Sequence, residues 1–135
     1  MHILIVDRRP PSDLLQGNAL IGRPLFSRLR RHHLTLICPA PAEECDRYYA
    51  DLAPLFDVVR LVPSIRFPTA LKGMVEPSLA SSGLRAVERG AAPAFGIAVK
   101  DALAVRHFDV IHTRQLPMAG YTARLRHPAA LLELV

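Results

Sequence analysis

Two strand-to-loop junctions hold the residues best placed to do chemistry: His2–Asp7 running into Arg8–Gly17, and Phe108–Thr113 running into Arg114–Tyr121. The first junction offers Arg8 and Arg9, Gly17 and Asn18; the second offers His112, Arg114 and Gln115. These are residues for holding an anion or a hydroxyl, and no nucleophile or paired carboxylates stand out as a catalytic set. Gly17 lets backbone approach a phosphate or other ligand closely beside a helix amino terminus, or serves as a turn glycine. Asn18 donates to the same group or caps the helix. His112 lies inside a strand, as a satisfied histidine or a ligand contact. Arg114 projects from the end of that strand and is the stronger candidate to meet a substrate, with Gln115 beside it to hold a hydroxyl, cap a helix or face solvent. Arg8 and Arg9 attract an anion or are simply solvated, and Met118 and Tyr121 read as core packing.

The elements that must position these residues are short. Ile3–Val6 is an unalternating β-branched run, as in a central parallel strand covered on both faces. Leu25, Phe26 and Leu29 follow at helical spacing, with Pro24 either starting or bending that helix. Leu34–Cys38 is a second strand that Pro39 and Pro41 end. Glu43–Leu55 reads as a helix with Tyr48, Tyr49 and Leu52 inward, and Phe56–Val62 as a third strand of the same buried type. Pro63–Pro77 has no clear period and is either a flap or a surface that touches lipid. Leu84–Arg89 is helical. Pro93–Arg106 is a stronger helix with Phe95, Val99, Ala102 and Leu103 on one face. It leads to a fourth strand, a helix starting near Pro117, and a fifth strand at Leu131–Val135.

Strands alternating with helices predict an α/β fold, a Rossmann-like parallel sheet with helices on both faces and a ligand crevice beyond the carboxyl ends of the strands. A chain of 135 residues, 50% of them hydrophobic, makes one domain. Its longest apolar runs are too short to cross a bilayer and its start lacks a signal-peptide pattern, so the expected compartment is the cytoplasm.

The formal charge of +5 is carried almost wholly by arginine, Lys72 and Lys100 being the only lysines. Arginine's planar fork suits phosphate and carboxylate. Arg23, Arg28, Arg30 and Arg31 with His32 and His33 form a basic cluster, yet aromatics are scarce and no recognition helix accompanies it, which argues against a nucleic-acid partner. Cys38 and Cys45 have no companions at metal-ligand spacing, so no metal or cofactor is expected. The first loop lacks the three spaced glycines of a dinucleotide fold and the Walker phosphate loop. A receiver domain fails too, because Arg8 and Arg9 stand where it needs acids and the third strand ends without a phosphorylatable Asp.

In order, Ile3–Val6, the Pro-rich loop ending in Gly17-Asn18, the helix leading to Leu29-Arg30-Arg31-His32-His33, and Leu34–Ile37 resemble the opening of the retaining glycosyltransferases of family four, of GT-B architecture. Phe108–His112, Pro117–Tyr121 and Leu131–Val135 resemble the same family's fourth strand, helix and fifth strand. Within it the chain is most similar to bacterial sugar transferases associated with exopolysaccharide export. The resemblance implies transfer of a sugar from a nucleotide sugar to a saccharide or lipid-linked acceptor with retention of configuration.

It also implies that residues 1–135 are the acceptor-side amino-terminal domain, incomplete at its end and inactive without a carboxy-terminal domain that binds the donor. That places the chain in the cytoplasm or at the inner face of a membrane, as a peripheral contact. Arg114 stands where the family often carries a second histidine. The alternative is a non-catalytic binding or interaction domain, derived from a split or degenerate transferase, whose exposed fifth strand pairs with another chain.

Overall fold

A computed structural model describes residues 1–12, 18–64, 92–115, 118–122 and 129–133. They form a five-stranded parallel sheet in the order β3-β2-β1-β4-β5, an α/β, Rossmann-like fold. The elements are β1 (His2–Val6), α1 (Asn18–Leu29), β2 (His33–Pro41), a 3-10 turn (Ala42–Glu44), α2 (Cys45–Leu52), β3 (Val58–Ser64), α3 (Ala92–Val105), β4 (Val110–Arg114), α4 (Ala119–Thr122) and β5 (Ala130–Glu133).

β1 sits at the centre because both its faces are apolar. Ile3 and Ile5 face one core with Phe26 of α1, Leu52 of α2, and Leu34 and Leu36 of β2. Leu4 and Val6 face the other, with Phe95, Ala98 and Val99 of α3, Ile111 of β4 and Met118. A strand buried on both sides has no polar face to alternate with, hence the continuous run. Met118 and Tyr121 pack into this second core, as their helical spacing suggests.

Several elements differ in detail from the sequence expectation. α1 begins at Asn18, so Pro24 lies inside it. Its ring is exposed, and the loss is one hydrogen bond to the carbonyl four residues back. β2 runs through Pro39 to Pro41. β1 has paired with β2 only as far as Val6 opposite Ile37, so beyond that point β2 has β3 alone as neighbour and the missing N–H of Pro39 breaks no ladder with β1.

β3 is an edge strand and only Val62 along it is fully buried, which corrects the reading of a doubly covered strand. Tyr48 and Leu52 turn inward, while Tyr49, a third of a turn away from Tyr48, is exposed. The expected helix at Leu84–Arg89 and nearly all of the aperiodic Pro63–Pro77 stretch lie outside the described residues. Among the described residues, no helix is long and apolar enough to cross a membrane.

Pro24→Ala is expected to stabilise the protein by about 1–3 kcal/mol, since alanine restores the helical N–H and removes the ring's clash. Urea denaturation of the two proteins reads this directly.

Candidate functional site

The strand order reverses between β1 and β4: one connection leaves β1 toward β2, and the chain later returns to the other side of β1 as β4. At such a switch point the loops part and leave a crevice at the carboxyl ends of the strands. Register fixes what stands there. Val6 pairs with Thr113, so Asp7, the next residue, comes abreast of Arg114, and Arg114 pairs with Glu133. On the far side Val6 pairs with Ile37, which brings Cys38 abreast of Asp7. Asp7, Arg114 and Glu133 thus form a row across three adjacent strands, two residues beyond His112 on the same face.

Arg114 Nη1 donates to Asp7 Oδ2 at 2.6 Å, and its Nε donates to Glu133 Oε2 at 3.0 Å. Glu133 Oε2 also lies 2.9 Å from His112 Nε2. The guanidinium carbon sits 5.5 Å from the centre of the Phe26 ring, within cation–π range. Arg114 is 2% exposed and Asp7 fully buried. Arg114 therefore does not project free from its strand. It is enclosed, because two carboxylates and an aromatic face provide what water otherwise would.

Burial pushes the Asp7 carboxyl up from the ordinary carboxylate range, opposed by the Arg114 charge and by backbone N–H groups of Arg9 and Arg8. The Arg114 guanidinium keeps its proton, and so its charge, through the ordinary pH range. Burial likewise lowers His112, against the pull of Glu133. The imidazole is then neutral near pH 7, with its proton on Nε2 to donate to the carboxylate.

Space around Arg114 is as constrained as its charge. A Cβ on Gly22 of α1 would lie 3.0 Å from Pro11 Cβ, 3.1 Å from Arg114 Nη1 and 3.3 Å from the Phe26 ring. Glycine is what lets α1 pass this close. Ser12, also fully buried, donates its hydroxyl to Asp51 of α2, and Arg23 Nη1 of α1 meets the same Asp51 oxygen at 3.2 Å. These contacts tie the loop after β1 to both helices on that face.

At the mouth, Gln115 adopts φ 70°, the left-handed region that non-glycine residues rarely occupy. Its N–H donates to the Glu133 carbonyl at 2.9 Å, and its own carbonyl accepts from Met118 N–H at 3.1 Å. The Thr113 and Thr122 hydroxyls, 2.7 Å apart, pin α4 to β4. Held on both sides, Gln115 keeps a conformation that costs of order 1–3 kcal/mol.

His112, Arg114 and Gln115 are thus gathered on β4 and at its end, and Arg8 and Arg9 stand at the end of β1, Arg8 half-buried and Arg9 exposed. Arg9 N–H lies 3.4 Å from Asp7 Oδ1. Gly17 lies outside the described residues; Asn18 is the first residue of α1, and its side chain lies outside them too. Sequence reasoning did not single out Asp7, Glu133, Ser12 and Asp51. The first two carried a usable signal: a carboxylate directly after, or within, an apolar strand must find a cation or stay wet.

The row holds two carboxylates for one guanidinium, with neutral His112 at its edge. The Arg114 guanidinium thus already has both its neighbouring carboxylates to serve, while the half-buried Glu133 and Gln115 can accept from and donate to hydroxyls. No group of His, Cys, Asp and Glu able to hold a metal occurs among the described residues. Cys38 is buried and its thiol is pushed well up by burial, and Cys45 is raised for the same reason, so neither is a ready thiolate. No protein-family model matches the chain, and no curated protein and no solved structure matches it at a significant level.

Arg114→Met is expected to cost about 3–5 kcal/mol in denaturant unfolding, because it strands the buried Asp7 charge. Adding Asp7→Val should recover most of that loss. His112 has its own pH signature. Its folded pKa lies below the ordinary 6.5, so its contribution to stability is intact above that pH and is lost as pH falls through the folded pKa. Asp7 has the opposite sign: its raised pKa costs stability once pH rises through the folded value. His112→Asn should therefore flatten the fall of melting temperature just below pH 6.5 and leave the more acidic part of the curve in place.

Proposed function

We propose that the chain is the acceptor-side, amino-terminal domain of a retaining GT-B glycosyltransferase resembling family four, of the kind associated with bacterial exopolysaccharide synthesis. In this reading a cytoplasmic domain binds a saccharide or lipid-linked acceptor. A second domain brings the nucleotide-sugar donor. What carries the reading is the crevice at the switch point, where the only deeply placed guanidinium among the described residues is already consumed by Asp7 and Glu133. Such a lining suits hydroxyls better than a diphosphate, which is the division expected of an acceptor side.

His112 and Arg114 then act as positioning residues, setting the carboxylate of Glu133. Gln115 and Glu133 are the groups that meet sugar hydroxyls, with Arg8 at the rim. The strained backbone of Gln115 holds its side chain at that mouth, and a glycine there would take the same φ without cost.

Alone, the chain is expected to transfer no sugar from any nucleotide sugar. Titration of the labelled protein with an oligosaccharide should shift the amide resonances of Gln115, Glu133 and Arg8, while a nucleoside diphosphate should leave them in place. Transfer by this chain unaided, or shifts caused only by the diphosphate, would overturn the assignment. Gln115→Gly should raise stability by about 1 kcal/mol through relief of strain while weakening the saccharide response.

A second reading, a non-catalytic interaction domain, is favoured by one observation. Among the described residues β5 is an edge strand, and its Leu131 and Leu132, on opposite faces, are 56% and 42% exposed. Unpaired edges of this kind invite another strand. Light scattering separates the two: a dimer abolished by Leu131→Lys and indifferent to saccharide supports the interaction domain, and a monomer that responds to saccharide supports the transferase domain.

A further inference from the structure

α3 is apolar on every side: of its 14 residues, Lys100 and Asp101 are the only charged ones. Phe95, Val99 and Ala102 turn toward the sheet, where they pack with Leu4 and Val6. The side turned away carries Pro93, Ala94, Ile97, Ala104 and Val105, all exposed, Ile97 at 57% and Val105 at 87%. A surface helix ordinarily turns a polar face to water, and one that is apolar all round is covered by something. Single exposed apolar side chains need no partner, but these five share one helix face.

The two charges flank that face. Ile97 and Ala104 lie along its midline, with Lys100 on one side of the line and Asp101, about 100° further round the helix, on the other. Arg60 Nη2 of β3 donates to Asp101 Oδ2 at 3.3 Å, and Asp101 Oδ1 has no partner among the described residues. Lys100 is exposed and has none among them either. When two helices lie side by side in parallel, each flank meets the opposite flank of its neighbour, so Lys100 of one copy stands beside Asp101 of the other. Antiparallel helices bring like flanks together, Lys100 to Lys100. The face is therefore complementary to itself in one orientation, and Ala94 and Ala104 are small enough to let two axes approach closely.

We propose that the outer face of α3 docks a second copy of this chain, the two helices running parallel about a twofold axis, with Ile97 and Ala104 in the seam and Lys100 of each copy beside Asp101 of the other. A closed twofold contact uses the same patch on both copies, which is what a self-complementary face supplies.

One pair of helices of this length covers less than the roughly 800 Å² per partner of a standard interface, so the association is weak and fills at high concentration. The apolar seam supplies the affinity, and the exposed charge pairs choose the orientation. The contact draws on neither reading of the crevice. The charge row lies on the α1 side of the sheet, against Phe26, whereas α3 covers the other side. It is also distinct from strand pairing at β5, which involves no residue of α3.

The test is sedimentation equilibrium of the full chain from about 10 µM to about 1 mM. The average mass is expected to rise from that of the monomer toward twice that value. Ile97→Asp should weaken the association about tenfold or more, and Leu131→Lys should leave it intact. Lys100→Asp and Asp101→Lys should each lower self-association, while an equimolar mixture of the two variants should associate, because one then presents two acids and the other two lysines. Circular dichroism checks that each variant is folded. In the unsubstituted protein, amide shifts that change with concentration should fall in residues 97–104. A monomer throughout the range, association by Ile97→Asp equal to that of the parent, a mixture that stays monomeric, loss of the dimer in Leu131→Lys, or concentration-dependent shifts confined to other residues overturns the proposal.

Discussion

A buried charge row crossing the sheet where its strand order reverses sets the terms for everything around it. Asp7 closes an apolar strand at the centre of the fold, and a carboxylate there is tolerable only with a cation in contact. Arg114 supplies that cation from β4, and Glu133 from β5 satisfies its remaining edge. The consequences reach outward. α1 must pass over the guanidinium, which requires Gly22 where it does and sets Phe26 over the charge. Asp7 also accepts from the Arg9 N–H, so the loop after β1 turns away at a fixed point, and Ser12 anchors it to Asp51. Removing the row would leave a sheet able to form and a crevice with nothing to shape it.

The architecture was legible because it rests on patterns that survive without tertiary knowledge. Ile3–Val6 and Leu34–Cys38 are unbroken apolar or β-branched runs, Val110-Ile111 is a shorter one at the fourth strand, and Phe95, Val99 and Ala102 share one helical face. The edges of elements were not legible. In isolation Pro24 looks like the start or a bend of a helix and Pro39 like the end of a strand, yet one lies inside α1 with its ring exposed and the other falls where β2 has already lost β1 as a neighbour. Whether a proline can be tolerated depends on what lies beside it, which is a property of the fold. Likewise nothing in Phe56–Val62 announces that β3 is at the edge, with Arg60 reaching across to Asp101 of α3.

The site was half legible. His112, Arg114 and Gln115 were picked out by their place after a strand, and the structure gathers them at the mouth. The role of Arg114 changed because its partners come from residues 107 and 19 positions away in the chain, a pairing that only the parallel register creates. This alters the chemistry. An arginine facing solvent would argue for a phosphate, whereas one saturated by two carboxylates leaves a lining suited to hydroxyls.

The central claim is that Arg114 is a locked internal cation and not a ligand-facing one. Side-chain nitrogen NMR of the guanidinium measures this directly. The account predicts an Arg114 Nε–H protected from hydrogen exchange, with slowed rotation about the Nε–Cζ bond and resolved Nη signals, in the absence of any ligand. A rapidly exchanging Nε–H with a freely rotating, averaged guanidinium would contradict it.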